Sequence, residues 1–399
     1  MNREDFPILN KNIIYFDNGA TTLKPQSVID SICDYYSNYS SNAHRGDYKI
    51  SLKASREYED VRNKVKNFIN ADASDEIIFT SGSTESLNMI INGYFKNKLS
   101  KDDEVLITKS EHASNILPWF ELENEIGIKV NYIPLDNNHV VTLENVINSI
   151  TPKTKVISMA QVTNVIGDVR PIKEIIKYAH KKGILVVVDG AQSVGHTNVD
   201  VKDLDIDFLA FSAHKMLGPT GVGVLYGKYD LLDQIKPYKY GGGMNIAFVS
   251  PKEIEYKELP YKLEAGTQNI AGVIGFGKAI DYITNIGVDN IEEYCNELRE
   301  YLINKLKSIN NINIYNENVE SSTVTFNIDG IFSQDTAIYL DKYNICVRSG
   351  SHCAKKLEDE LGIKNTVRIS IYFYNTKDDV DKLVEALQSN SILEESLGV

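Results

Sequence analysis

Between Ile77 and Tyr226 the chain repeats one arrangement: a short apolar run, a polar or glycine-bearing loop, then a segment with apolar residues at helical spacing. The runs are EIIFT, EVLIT, KVISMA, ILVVVD and FLAFS. Such runs, bounded by loops and showing little alternation, suit strands covered on both faces, so the pattern predicts a mainly parallel sheet flanked by helices. Between two of them lies PIKEIIKYAHKKG, with Pro171 near a helix start, Lys181 and Lys182 in the last turn and Gly183 as a stop. After about Ala271 the texture changes to a long helical stretch, EEYCNELREYLINKLKSI, then STVTFNI, KYNICVRS, the alternating VRISIYFY and a closing helix from about Thr376. The expected architecture is α/β, with a large domain over residues 16–281, a smaller α+β domain over residues 282–399, and residues 1–15 packing on the smaller one.

The charge balance and cysteine usage narrow the chemistry. Lys and Arg number 42 against 55 Asp and Glu, a net −13, which argues against nucleic acid or an anionic membrane surface as the main partner. Cys33, Cys295, Cys346 and Cys353 are too few for a disulfide framework in 399 residues and lack the paired CxxC spacing of a zinc site. Reduced thiols and a cytoplasmic location are expected, since neither a signal peptide nor a membrane span is legible. No HExxH pair occurs, so no metal is expected; GSTES lacks the GK[ST] ending of a nucleotide-binding P-loop.

The loop after each run carries the functional signal. SGSTESLN comes after the first, KSEHASN after the second, QVTNVIG after the third, DGAQSVG after the fourth and AHKMLGPTGVG after the fifth. In an open α/β sheet, ligands bind beyond the carboxyl ends of the strands, so Ser83, Thr84, His112, Asn164, Asp189, Gln192, Ser212, His214 and Lys215 should converge on one site. Singly, Asp189 reads equally well as a helix cap and Lys215 as a solvated lysine. Together they match the needs of pyridoxal phosphate. Its aldehyde needs an amine, for which Lys215 is the candidate, and its pyridine nitrogen stays protonated beside an ionised acid, here Asp189. Its phosphate needs donors, which the helix start at SGSTES offers through backbone N–H groups and the Ser83 and Thr84 hydroxyls, with Ser212 and His214 adding more. His112 is placed to cover one ring face, and Asn164 and Gln192 to hydrogen-bond the ring oxygen.

DGAQSVGH, FSAHKMLGPTGVGVLYG, GGGMN, EAGTQN and VRSGSHCA occur in this order, and together they resemble the class V, fold-type I pyridoxal-phosphate enzymes, specifically cysteine desulfurases of the Suf type. The likeness runs from YFDNGATTLKP to VRISIYFYN. It implies a Schiff-base role for Lys215, with Asp189 as pyridine partner, His112 as stacking ring, Gln192 and Asn164 as ring-oxygen and substrate contacts, and Thr84, Ser212 and His214 on the phosphate. Arg368 would clamp the substrate carboxylate as a bidentate fork, with Arg348, His44 and Arg45 lining the entrance. Thr267 would reach the phosphate of a partner subunit, making a homodimer part of the site. Where the Suf type often carries a second histidine this chain has Ser351, and Gln268 stands where proline is common.

The resemblance also implies that Cys353 attacks the sulfur of cofactor-bound L-cysteine, takes it as a persulfide and leaves L-alanine. A free thiol near pKa 8.5 is only about 3% thiolate at neutral pH, so an exposed loop near His352 and Arg348 is expected to help activate it. The implied activity is a cysteine desulfurase feeding iron–sulfur cluster assembly through an acceptor protein of the SufE or SufU kind. Selenocysteine lyase, or another class V lyase or aminotransferase, is the alternative, since only the loop chemistry differs.

Overall fold

The computed structural model describes residues 2–250 and 253–388, so the end of the closing segment, residues 389–399, lies outside the described residues. β1 (Ile14–Tyr15) belongs to the N-terminal segment. Then β2 (Ile77–Thr80), β3 (Glu104–Thr108), β4 (Lys129–Ile133), β5 (Thr154–Ala160), β6 (Leu185–Asp189), β7 (Phe208–Ser212) and β8 (Gly223–Gly227) form a seven-stranded sheet in the order β2-β8-β7-β6-β5-β3-β4. β8 runs antiparallel to both its neighbours, and every other pairing is parallel.

The apolar runs are explained by burial on both faces. Along β6 and β7, Val186, Val188, Leu209 and Phe211 face one apolar layer while Val187, Phe208 and Ala210 face the other. β4 is not among the expected strands because it is an edge: Lys129 and Asn131 are exposed, and its sequence lacks the continuous apolar signature.

The later strands are β9 (Asn245–Ser250) and β10 (Glu253–Tyr256), paired antiparallel, then β11 (Ile312–Ile314), β12 (Thr323–Ile328), β13 (Ile345–Cys346), β14 (Arg348–Gly350) and β15 (Thr366–Ser370). A four-stranded antiparallel sheet has the order β11-β12-β15-β14. KYNICVRS, which reads as one run, is divided at Val347: β13 pairs with β1 and β14 with β15. VRISIYFY also departs from its alternation, since Ile371, Tyr372, Phe373 and Tyr374 come after the strand and are all buried. Phe6 closes on this cluster, its ring 4.6 Å from that of Tyr374 and 5.9 Å from that of Tyr282. The helix Ile270–Ile286 runs straight through residue 281, and the next, Val288–Leu306, begins after Gly287 at φ 88°. Among the described residues, no helix is long and apolar enough to cross a membrane.

A buried ion pair joins three elements on the β2 side. Arg62, on the helix Lys49–Phe68, meets both Glu264 carboxylate oxygens at 2.7 and 2.9 Å and donates to the Ile77 carbonyl at 2.7 Å. The same carboxylate accepts from the Phe79 N–H at 2.7 Å. Both side chains are almost wholly buried, so removing one strands the other's charge in a dry interior. Arg62→Ala is therefore expected to cost about 3–5 kcal/mol of folding stability. Urea unfolding would measure this, and a loss below about 1 kcal/mol would show that water replaces the guanidinium at Glu264.

Candidate active site

The carboxyl ends of β3, β5, β6 and β7 open onto a cavity of about 390 Å³ lined by Ser83, Thr84, His112, Asn164, Asp189, Gln192, Ser212, His214, Lys215, Arg348 and Arg368. These side chains come from positions up to 285 residues apart (368 − 83), and the two sheets together assemble them. His44, Arg45, Thr267 and Cys353 are not among them. His44 lines a second cavity with Arg45, Tyr261 and Glu264, its Nε2 3.0 Å from Glu59. Thr267 accepts from Asn42, another residue of that second cavity, at 3.2 Å.

At the floor, Asp189 closes β6 and Lys215 closes the short turn after β7. Burial pushes the Asp189 carboxyl up to about 6, opposed by the Ala191 N–H and the charge of Lys215. Burial also pulls the Lys215 amine down to about 8, with Asp189 opposing and Arg368 and Arg348 assisting. Lys215 Nζ makes no hydrogen bond among the described residues, so the amine is free to react. The backbone beneath it is fixed: the His214 carbonyl accepts from Thr22 N, Thr21 Oγ1 and Lys24 Nζ, each at 3.0 Å, and His196 Nε2 lies 3.1 Å from the Lys215 carbonyl.

Burial keeps two histidines of this cavity, His112 and His214, neutral. His112 is pulled down to about 4, first by burial and then by the cations around it. Its Nδ1 accepts from the Ser114 N–H at 3.1 Å, which leaves the ring proton on Nε2. Ser114 Oγ in turn lies 2.7 Å from Thr84 Oγ1, linking this ring to the hydroxyl cluster. Burial likewise lowers His214 to about 4.

The hydroxyl end is tightly built. Ser212 Oγ accepts from Ser83 N at 2.8 Å and donates to Ser83 Oγ at 3.0 Å. A Cβ on Gly223 would come within 2.4 Å of Gly82 Cα, so only glycine lets the loop before the helix Ser83–Asn88 lie against β8. At the opposite end, Arg368 is paired across the strands with Arg348. Its Nη1 donates to the Asn164 carbonyl and its Nη2 to Asp17, each at 3.0 Å, while buried Nε has no partner among the described residues. Three of its five donors remain for an anion.

Cys353 lies on the loop after β14 and is exposed. Its carbonyl accepts from Ala113 N at 2.8 Å, tying the thiol's loop to the one carrying His112. The expectation that His352 helps activate the thiol is not supported. His352 is only 3% exposed, its Nε2 lies 2.9 Å from Thr366 Oγ1, and burial with the neighbouring Arg368 and Arg348 pulls it down to about 3. It is a neutral ring, offering no positive charge to a thiolate. Among the other cysteines, Cys295 is buried, Cys346 half-buried and Cys33 exposed.

Sequence reading misses the support beneath the site. Arg170 Nη1 contacts Glu111, its Nε lies 3.3 Å from Asp168, and its Nη2 donates to Thr108 and Ser110 hydroxyls at 2.8 Å. Asp17 at Arg368 is missed too. Asp17 ends the apolar run IIYF, but Glu111 and Arg170 lie in the polar stretches KSEHASN and GDVRP, and the partners are far away in the chain.

The donor set fits pyridoxal phosphate: an amine free of hydrogen bonds, a buried acid with one oxygen uncommitted, and a cradle of hydroxyls against which the loop fits only through glycine. Above about pH 8 the Lys215 amine is the free base, and below it an ammonium that cannot attack an aldehyde. Covalent capture of the cofactor by the cofactor-free protein should therefore speed up with pH around a midpoint near 8, not near the ordinary 10.5. Asp189→Asn should move that midpoint lower, because the charge favouring the ammonium is gone. Stopped-flow absorbance would read both; an unchanged midpoint would remove Asp189 from the electrostatics of the amine.

The model of the family described as aminotransferase class-V matches residues 14–383. A probable cysteine desulfurase of Halalkalibacterium halodurans is 42% identical, covering 96% of this chain and 95% of its own. A cysteine desulfurase of Haloferax volcanii is 38% identical, covering 97% and 95%. Among solved structures, the cysteine desulfurase CsdA of Escherichia coli, in an S-sulfonic acid form, superposes with a TM-score of 0.93 at 36% identity, covering 99% and 98%. A likeness that spans both sheets and the loops between them is more than a shared scaffold, and on it the chain belongs to the class-V aminotransferase family.

Proposed function

We propose that this chain is a pyridoxal-phosphate-dependent cysteine desulfurase, taking sulfur from L-cysteine to release L-alanine and leave a persulfide on Cys353. The observation that carries the reading is an exposed thiol whose loop is hydrogen-bonded to the loop of His112, in a chain matched almost end to end by proteins named cysteine desulfurase. Bound pyridoxal phosphate supplies an electron sink for the substrate's α-carbon. The rest is the work of side chains. Arg368, with its uncommitted donors, and Arg348 beside it hold the carboxylate. Lys215 Nζ, poised near neutrality, would move the α-proton, and Asp189 would supply the negative charge that favours a protonated nitrogen on the bound cofactor. His112, which lines the cavity with its proton on Nε2, would cover one face of the bound cofactor. The Cys353 thiolate would then attack the substrate sulfur: a new S–S bond forms, the Cβ–S bond breaks with its electron pair left on the carbon fragment, and one proton at Cβ and one returned by Lys215 to the α-carbon complete alanine.

The second cavity supports a homodimer as part of this reading. His44, Arg45 and Thr267 are polar, lie outside the chain's own site and offer donors of the kind an anion needs, so they would complete the cavity of a second copy. Residues 16–281 would form the cofactor-binding domain and residues 282–399 the smaller one, with sulfur passing in the cytoplasm to an acceptor protein of the SufE or SufU kind for iron–sulfur cluster assembly.

The test is direct. L-cysteine added to the holoenzyme should yield alanine and a mass increase of one sulfur on the peptide containing Cys353. Cys353→Ala is expected to abolish both, a loss of at least about a hundred-fold in turnover, while retaining the cofactor's absorbance. If alanine release persists in that variant, sulfur leaves by a route that does not use this thiol.

A further inference from the structure

We infer that His352 is a positioning residue that sets where the Cys353 sulfur starts, and that it links the loop to the Arg368 carboxylate site; the inference rests on the desulfurase reading above. The loop is held in an unusual backbone shape. His352 and Cys353 have φ of 51° and 58°, consecutive non-glycine residues in the left-handed region, after Gly350 at 118°. Each such residue costs on the order of 1–2 kcal/mol, so the shape persists only where other contacts impose it.

Those contacts converge on His352. Its ring reaches into β15, where Nε2 lies 2.9 Å from Thr366 Oγ1 and 3.1 Å from the Thr366 carbonyl. A carbonyl can only accept, so Nε2 carries the proton and donates. Nδ1 is then a bare acceptor, buried and without a partner among the described residues, in a ring that lines the main cavity. A histidine kept only for packing would not leave a buried acceptor unmet at a cost of about 1–3 kcal/mol. The backbone of His352 is held as well: its carbonyl accepts from Asn164 Nδ2 at 2.8 Å.

Both anchors lead to Arg368. Thr366 stands two positions before it on β15, pointing to the same face of the strand, and Gly350 at the root of the loop is Thr366's cross-strand partner. Asn164 receives Arg368 Nη1 on its own carbonyl at 3.0 Å while holding the His352 carbonyl through its side chain. A carboxylate drawn to Arg368 therefore acts on residues that fix the thiol's loop. Sulfur transfer needs the two sulfurs aligned at about 3–3.5 Å, and a displacement of about 1 Å can cost a hundred-fold.

The experiment uses the full-length holoenzyme. His352→Gln keeps an amide nitrogen where Nε2 reaches Thr366, whereas His352→Asn is too short for Thr366 and His352→Leu has no donor. His352→Asn and His352→Leu are expected to lower kcat for alanine release by roughly ten- to a hundred-fold with KM for L-cysteine within about two-fold of the parent, and His352→Gln to recover most of the loss. In parallel, iodoacetamide should alkylate Cys353 several-fold faster in the Asn and Leu variants, whose loops are released, than in the parent or the Gln variant. Should His352→Leu not fold, the Asn and Gln pair decides. Unchanged kcat in His352→Asn, a rise in KM in place of the fall in kcat, or a Gln variant no better than Asn would overturn the inference. The alkylation rates need no turnover, so a parent enzyme that releases no alanine would sink the desulfurase reading while leaving the loop measurement to stand or fall alone.

Discussion

The loop that carries His112 rests on a charge buried from water. Arg170 and Glu111 are wholly buried side chains, joined as an ion pair at the ends of β5 and β3. Such a pair gains little net stability, because desolvating both ions offsets their attraction unless the remaining donors and acceptors are met. Here they are met: Glu111 also accepts from Thr108 Oγ1, from Asn115 Nδ2 and from the Ala160 N–H, each at 2.8 Å, and Arg170 takes two hydroxyls, a carbonyl and Asp168. Satisfied in this way, the network offsets the cost of desolvation and also specifies geometry. It fixes the loop from Thr108 to Asn115, hence His112, and through Ala113 N the carbonyl of Cys353.

A second constraint acts at the floor. Asp189 and Lys215 oppose each other's burial, so the acid is pushed up only to about 6 and the amine down only to about 8. Each remains able to change state near neutrality, which a fully exposed lysine or carboxylate would not. That balance needs a fixed backbone under the lysine. The clamp comes from close to the N-terminus, about 190 residues earlier, where Thr21, Thr22 and Lys24 all bond the His214 carbonyl, and burial lowers Lys24 itself to about 7.

These features differ in how far they can be read from sequence. β2, β3, β5, β6 and β7 are legible because burial on both faces writes continuous apolar runs, and the polar loops after them fall at one end of a parallel sheet by topology alone. β4 leaves no such mark because one side of it meets solvent. The break at Val347 is hidden because β13 and β14 are short and pair with strands far away in the chain. The cavity's own residues announce themselves by chemistry, but their supports do not: Glu111 and Arg170 are 59 residues apart, and Arg368 and Asp17 are 351 apart. A charged letter, in a polar stretch or after an apolar run, does not show which partner it meets. His352 misleads differently, since proximity to Cys353 in sequence suggests a role that the direction of its ring denies.

The arrangement makes physical sense of a thiol on an exposed loop. On the proposed reading, a group that takes an atom from inside a cavity and offers it outside cannot be packed, yet an unconstrained loop would spread its sulfur over many positions and lose the alignment that speeds attack. The chain resolves this by fixing the two residues around the sulfur at their carbonyls, His352 on Asn164 and Cys353 on Ala113, and leaving the side chain between them free. Both carbonyl partners belong to loops over the parallel sheet, whereas the root of the loop belongs to the antiparallel one. The thiol thus sits on the seam between the two sheets.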